Sequence, residues 1–252
     1  MSVVPLRLAV IGDPVAHSRS PELHRGFLAQ ADIAGTYEAI RVPAGRCAAA
    51  VAALRERGFL GCNVTTPLKE EAFALCDELD DTARRSESVN TLSFFADRIV
   101  GANTDGLGAL AALRAAGCEP RDKAVLILGV GPTARAACVA FLDVAAFPIV
   151  WNRTPQRAEA LAERFTMKRF TSEEMVDAVF ATLPPEAELP EEIARVVRSA
   201  PVVVDANYGP RAMLSQRIGR VVPDGSTMLY AQARASFERW CTQFRTSLTP
   251  ET

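Results

Sequence analysis

Histidine is nearly absent from this chain of 252 residues: His17 and His24 are the only two. The six cysteines (Cys47, Cys62, Cys76, Cys118, Cys138 and Cys241) are scattered through apolar contexts, with no C-x-x-C pair. A zinc site or a histidine-dependent catalytic triad therefore has little material to work with, and the thiols read as reduced packing residues. No metal is expected. Excess charge of either sign is also missing, since 28 Lys and Arg stand against 30 Asp and Glu for a net charge of −2. That balance offers no basic field to nucleic acid and no polybasic patch to a membrane. No apolar run approaches the ~20 residues that span a bilayer, and Met1-Ser-Val-Val-Pro-Leu-Arg7 lacks a signal-peptide pattern, so the expected location is the cytoplasm.

What is present suits a globular α/β protein of one large or two medium domains, with 49% hydrophobic and 23% charged residues. In the first half, Leu6 to Gly12 is a short apolar run closed by glycine, as in a strand of a parallel sheet. The small polar loop that follows leads to Ser20-Pro21-Glu22, which predicts a helix capped by Ser20. Ser18 and Ser20 are spaced to bind a carboxylate near that helix end, or else Ser20 caps and Ser18 is solvated. Strands over Thr36–Val42 and Leu60–Val64 flank an Ala-rich helix, a βαβ unit implying a parallel sheet. Asn63-Val-Thr-Thr-Pro-Leu-Lys69 then opens a helix predicted over Pro67–Cys76. A cation is disfavoured in a first helical turn, which makes Lys69 either a plain surface lysine or a functional one.

Between the halves lies Gly101-Ala-Asn-Thr-Asp-Gly-Leu-Gly108, a glycine-rich stretch that reads as a hinge, with Asp105 as helix cap or active-site acid. From Lys123 the pattern turns to strand, glycine loop, helix, strand. Gly129-x-Gly131-x-x-Ala134 satisfies the dinucleotide fingerprint in its required context, with Pro132 tolerated at the first helical position and Thr133 beside it. NAD sites place an acid at the end of the next strand, whereas this chain has Asn152-Arg153-Thr154 and then Arg157. Guanidinium groups there suit a 2′-phosphate and so NADP, or else form a solvated first turn. A last helix over Met228–Phe244 carries Leu229, Ala233, Phe237, Trp240 and Phe244 along one side and is expected to return to the first domain.

These motifs together resemble the shikimate dehydrogenase family along nearly the whole chain. Ile11-Gly-Asp-Pro-Val-Ala-His-Ser-Arg-Ser-Pro21 looks like its substrate loop, and Asn63–Lys69 its lysine motif. Val89-Asn90-Thr91, Gly101–Gly106, Asn152-Arg-Thr154 and Met228 through Gln232-Ala233 match the remaining motifs in order. The resemblance implies a substrate-binding and catalytic domain over 1–104, completed by 228–252, and a Rossmann-type NADP-binding domain over 105–227. It further implies that Ser18, Ser20, Thr65, Asn90, Tyr208 and Gln232 bind substrate, with Lys69 and Asp105 as the catalytic pair. Gly129, Gly131, Pro132, Thr133, Ala134, Asn152, Arg153, Thr154 and Arg157 would hold NADP. The implied reaction is reversible reduction of 3-dehydroshikimate by a monomer or homodimer. A paralogue acting on quinate or an aminoshikimate, and a non-catalytic binding protein, are the alternatives. Three features depart from the family: Pro132 in the glycine loop, Phe180–Ala187 in place of an Asn-Ala-Thr segment, and Ser86-Glu-Ser-Val-Asn90 with Arg25.

Overall fold

The chain divides into two units, Met1–Thr104 with Gln232–Thr252, and Asp105–Ala231. The computed structural model describes residues 5–171 and 174–248, with the backbone alone for 247 and 248. The first unit runs β1 (Leu6–Gly12), α1 (Ser20–Gln30), β2 (Gly35–Arg41), α2 (Cys47–Glu56), β3 (Gly61–Val64), α3 (Lys69–Ala74), β4 (Glu78–Leu79), α4 (Asp81–Ser86), β5 (Thr91–Phe94) and β6 (Ile99–Ala102). Its sheet has the order β2-β1-β3-β5-β6-β4. The βαβ reading holds for β1, β2 and β3, which pair in parallel. β5 instead pairs antiparallel to both β3 and β6, so the sheet is mixed. The cause is local: Phe95 to Arg98 closes a tight turn, and a hairpin needs no crossover helix.

Both faces of this sheet are covered. Ala9, Ile11, Cys62 and Val64 meet Val51, Leu54 and Leu68 on one side. On the other, Leu6, Leu8 and Val10 pack with Phe27, Leu28, Phe237, Trp240 and Phe244. The last two sets come from α1 and from the final helix, α10 (Ser226–Leu248). Trp240 is fully buried and donates its Nε1–H to Leu92 O at 3.0 Å. Gly61 permits that approach, because a Cβ there would collide with Trp240 and with the Leu92 carbonyl.

The second unit runs α5 (Asp105–Ala115), β7 (Ala124–Leu128), α6 (Pro132–Asp143), β8 (Phe147–Trp151), α7 (Pro155–Phe165), β9 (Lys168–Arg169), β10 (Ala178–Ala181), α8 (Glu191–Ser199), β11 (Val202–Asp205), α9 (Leu214–Ile218) and the start of α10. Its five strands are all parallel, in the order β11-β10-β7-β8-β9. This is the doubly wound arrangement, in which the strand order reverses on either side of the first strand. α5, α6 and α7 cover one face, while α8 and α9 cover the other. Met228 packs in the core of this unit and Ala233 in that of the first, so α10 belongs to both.

Candidate active site

In the first unit the strand order reverses at β1, with β2 on one side and β3 on the other. Ligands collect beyond the carboxyl ends of strands at such a point. The loop after β1 carries Ser18 and Ser20, and the loop after β3 carries Thr65 and leads to Lys69. The two loops are tied: Thr65 N–H donates to Ile11 O at 2.9 Å and Asp13 N–H to Thr66 O at 3.0 Å. Gly12 makes this approach possible, because a Cβ on it would strike the Thr65 methyl.

Ser20 is not the helix cap that the pattern predicts. It is the first residue of α1, and Arg19 occupies the cap position without a side-chain hydrogen bond. Pro21 has no N–H to satisfy, which lets the helix begin one residue early. Ser18 Oγ accepts from Ser20 N–H at 3.3 Å, a bond that fixes the two serines relative to each other. α3 likewise starts at Lys69 rather than Pro67, and Lys69 is buried. Its carbonyl accepts from Val89 N–H at 3.0 Å, which ties the lysine segment to the stretch that carries Asn90 into β5.

Asn90 is the centre of a buried polar cluster. Its Oδ1 accepts from Thr104 N–H at 2.9 Å and from the Thr91 hydroxyl at 2.8 Å. Its Nδ2 donates to Thr104 Oγ1 at 2.9 Å and to Gln232 Oε1 at 3.3 Å. Asn90 and Gln232, which lie far apart in sequence, therefore meet directly. Thr104 precedes Asp105 in the chain, and Asp105 is buried as the first residue of α5. Within the second unit Asp105 Oδ2 accepts from Thr133 Oγ1 at 3.2 Å. Thr133, expected at the cofactor phosphates, thus has its hydroxyl on the acid group. Gly106 follows Asp105 and lets α5 approach α6, since a Cβ would lie 2.7 Å from Ala136 O.

The strand order of the second unit reverses at β7, and the glycine loop lies just beyond that strand. Gly129 has φ +110, and a Cβ on it would come within 2.6 Å of Thr182 Oγ1. Gly131 caps α6 and has open space where a Cβ would be. Pro132 is the first helical residue, and Ala134 is fully buried against the sheet. At the end of β8, Asn152 Nδ2 donates to Thr154 O at 3.1 Å, while Arg153, Thr154 and Arg157 are exposed. Beside them a cleft of about 340 Å³ is lined by Trp151, Asn152, Pro155, Arg169 and Arg195, among others. Tyr208, also in the second unit, is half-buried after β11.

The sequence and the fold resemble those of known proteins. Residues 10–92 match the family model described as the shikimate dehydrogenase substrate binding domain. The shikimate dehydrogenase (NADP(+)) of Acidiphilium cryptum is 42% identical, the match covering 93% of this chain and 90% of that one. That of Dinoroseobacter shibae is 37% identical over 96% and 94%. The chain belongs to the shikimate dehydrogenase family. Among solved members, the Thermus thermophilus shikimate 5-dehydrogenase in complex with NADP(H) and shikimate is 35% identical, with a TM-score of 0.83 over 98% of this chain and 95% of that one.

Against that family pattern, the departures have local explanations. Ser86 and Ser88 are fully buried and answered by Asn103, whose Nδ2 donates to Ser88 Oγ at 2.8 Å and to Ser88 O at 2.9 Å. Phe180 lies in the core with Phe141 edge-on at 5.8 Å, and Thr182 Oγ1 donates to Leu128 O at 2.9 Å beside the glycine loop. Arg25 is exposed on α1. Residue reading misses Tyr37, Asn63, Thr104 and Ser236, the remaining members of the buried polar cluster. Ser236 carries a usable signal, because it follows Gln232 by one helical turn and so shares its face. The thiols take no part: burial pushes Cys47, Cys76 and Cys138 up to about 12.

Proposed function

We propose that this chain catalyses the NADP-dependent, reversible reduction of 3-dehydroshikimate to shikimate. The observation that carries this reading is the 42% identity, over 93% of the chain, to an NADP(+)-dependent shikimate dehydrogenase. The second unit suits the cofactor on its own chemistry. Open space at Gly131 admits a pyrophosphate to the amino end of α6. The segment that follows β8, Asn152-Arg153-Thr154, carries no acid to repel a 2′-phosphate, and Arg153, Thr154 and Arg157 are exposed to bind one. When bound, NADPH supplies the hydride to the ring carbonyl carbon.

The chain's own groups handle the oxygen. In this reading Ser18 and Ser20 take the substrate carboxylate near the amino end of α1, with Thr65, Asn90, Tyr208 and Gln232 on the ring oxygens. The Lys69 ammonium stabilises negative charge developing on the carbonyl oxygen, and a proton reaches that oxygen through the Lys69 and Asp105 pair. In the reverse direction the same pair accepts the proton from the hydroxyl. Both side chains are buried, which strengthens such charge interactions relative to water.

The test is a panel of shikimate and quinate, each with NADP and NAD, followed through nicotinamide absorbance. The expected result is turnover of shikimate with NADP at a kcat/KM at least about tenfold above every other pair, the scale of one lost charged hydrogen bond. Turnover of quinate alone, or no turnover with binding of both ligands, would overturn the reading.

A further inference from the structure

The two ends of a carboxamide are nearly the same shape but opposite in hydrogen bonding, so its partners decide which end faces a ligand. In the first unit those partners form one connected chain. Tyr37 O–H donates to Asn63 Oδ1 at 2.6 Å, and Asn63 Nδ2 donates to Ser236 Oγ at 3.1 Å. Ser236 Oγ lies 2.7 Å from Thr91 Oγ1, and Thr91 O–H donates to Asn90 Oδ1 at 2.8 Å. Asn90 Nδ2 donates to Thr104 Oγ1 at 2.9 Å, and Thr104 O–H reaches Gln232 Oε1 at 3.4 Å. Each amide accepts at oxygen and donates at nitrogen, and Asn63 Nδ2 also donates to Thr91 Oγ1 at 3.3 Å. Every member except Gln232 is buried.

We propose that Ser236, backed by Tyr37 and Asn63, is a positioning residue that fixes which end of the Gln232 amide faces the substrate. This rests on the reading of Asn90 and Gln232 as substrate-binding groups. Because Oε1 of Gln232 terminates the chain, the end of that amide away from Asn90 is a donor, suited to an oxygen of a polyhydroxylated ring acid. Ser236 O–H donates to Gln232 O at 3.0 Å, and its Oγ lies 3.2 Å from Thr104 Oγ1. Its hydroxyl is thus the junction between α10, β5 and the segment that runs into Asp105. Removing it takes a neighbour from the Thr104 hydroxyl that meets Gln232 Oε1, which loosens the hold on that amide.

The experiment compares Ser236→Ala, Tyr37→Phe and Gln232→Ala in the full-length enzyme, measuring KM for shikimate, KM for NADP, kcat and Tm. Ser236→Ala is expected to raise KM for shikimate by about tenfold, the effect of one mis-set hydrogen bond to substrate, with KM for NADP unchanged. Tyr37→Phe, at the far end of the chain, is expected to shift it in the same direction by a smaller factor. The double variant Ser236→Ala with Gln232→Ala should have a KM no higher than Gln232→Ala alone, because the serine acts through the glutamine. If Gln232→Ala raises KM for shikimate while Ser236→Ala and Tyr37→Phe lower only Tm, the positioning role is overturned and the substrate reading stands. If Gln232→Ala leaves that KM unchanged, the substrate reading itself falls. Should Ser236→Ala fail to fold, Tyr37→Phe decides by the same KM comparison, since it deletes a single oxygen.

Discussion

His24 is fully buried on α1, stacked on Tyr37 at 4.1 Å between ring centres, and neither of its nitrogens has a hydrogen-bond partner among the described residues. Burial pushes its pKa down from 6.5 to about 3, and the neighbouring Asn63 amide opposes only part of that shift. The imidazole is therefore neutral and serves as an aromatic plate behind Tyr37. The unfolded chain takes up a proton near pH 6.5 that the folded chain refuses until about pH 3. The associated stability is complete above that upper value and falls as pH drops towards the lower one, by up to about 1.4 kcal/mol per pH unit. Denaturant unfolding of the wild type and His24→Phe at neutral and acid pH should show a shallower loss for the variant. Equal losses would mean that His24 is not held neutral by the fold. From sequence His24 is silent, because a buried histidine and an exposed one look alike there. Lys69 is legible in part: a cation in a first helical turn marks the position as unusual. That the side chain is buried depends on the packing of β3, β5 and α3, which sequence alone does not place.

At the scale of elements, the βαβ units are easy to read because each strand is a short apolar run ended by glycine or a polar turn. β1, β2 and β3 fall close to their predicted spans. Helix starts are less legible. α1 and α3 begin one residue earlier and two residues later than their patterns suggest, each beside a proline whose missing N–H removes the usual cap signal. The mixed character of the first sheet is a consequence of the β5–β6 hairpin, a local pairing that the parallel βαβ reading does not include. The glycine loop separates two kinds of glycine. Gly129 is held by a positive φ and by Thr182, whereas Gly131 meets nothing where a Cβ would stand. Gly131→Ala is therefore expected to leave Tm unchanged while raising KM for NADP by roughly an order of magnitude, the scale of a charged hydrogen bond to phosphate. A fall in Tm with unchanged KM for NADP would show that the residue serves the fold instead.

At the scale of the whole molecule, the division of labour follows from topology. Each unit is an α/β sandwich whose strand order reverses once, and the functional loops of each lie beyond the strand where it does so. Motif order along the chain made the family legible, since the loops follow strands that can be recognised one by one. The buried chain from Tyr37 to Gln232 was not legible, because it joins residues from β2, β3, β5 and α10 that only the folded sheet brings together. The reaction proposed here rests on Lys69 and Asp105. Steady-state kinetics of Lys69→Ala and Asp105→Asn with shikimate and NADP test that claim most directly. Each variant is predicted to lose kcat by about 10²- to 10⁴-fold, the range of a general acid–base contribution, with KM for NADP unchanged. Wild-type kcat in either variant would contradict it.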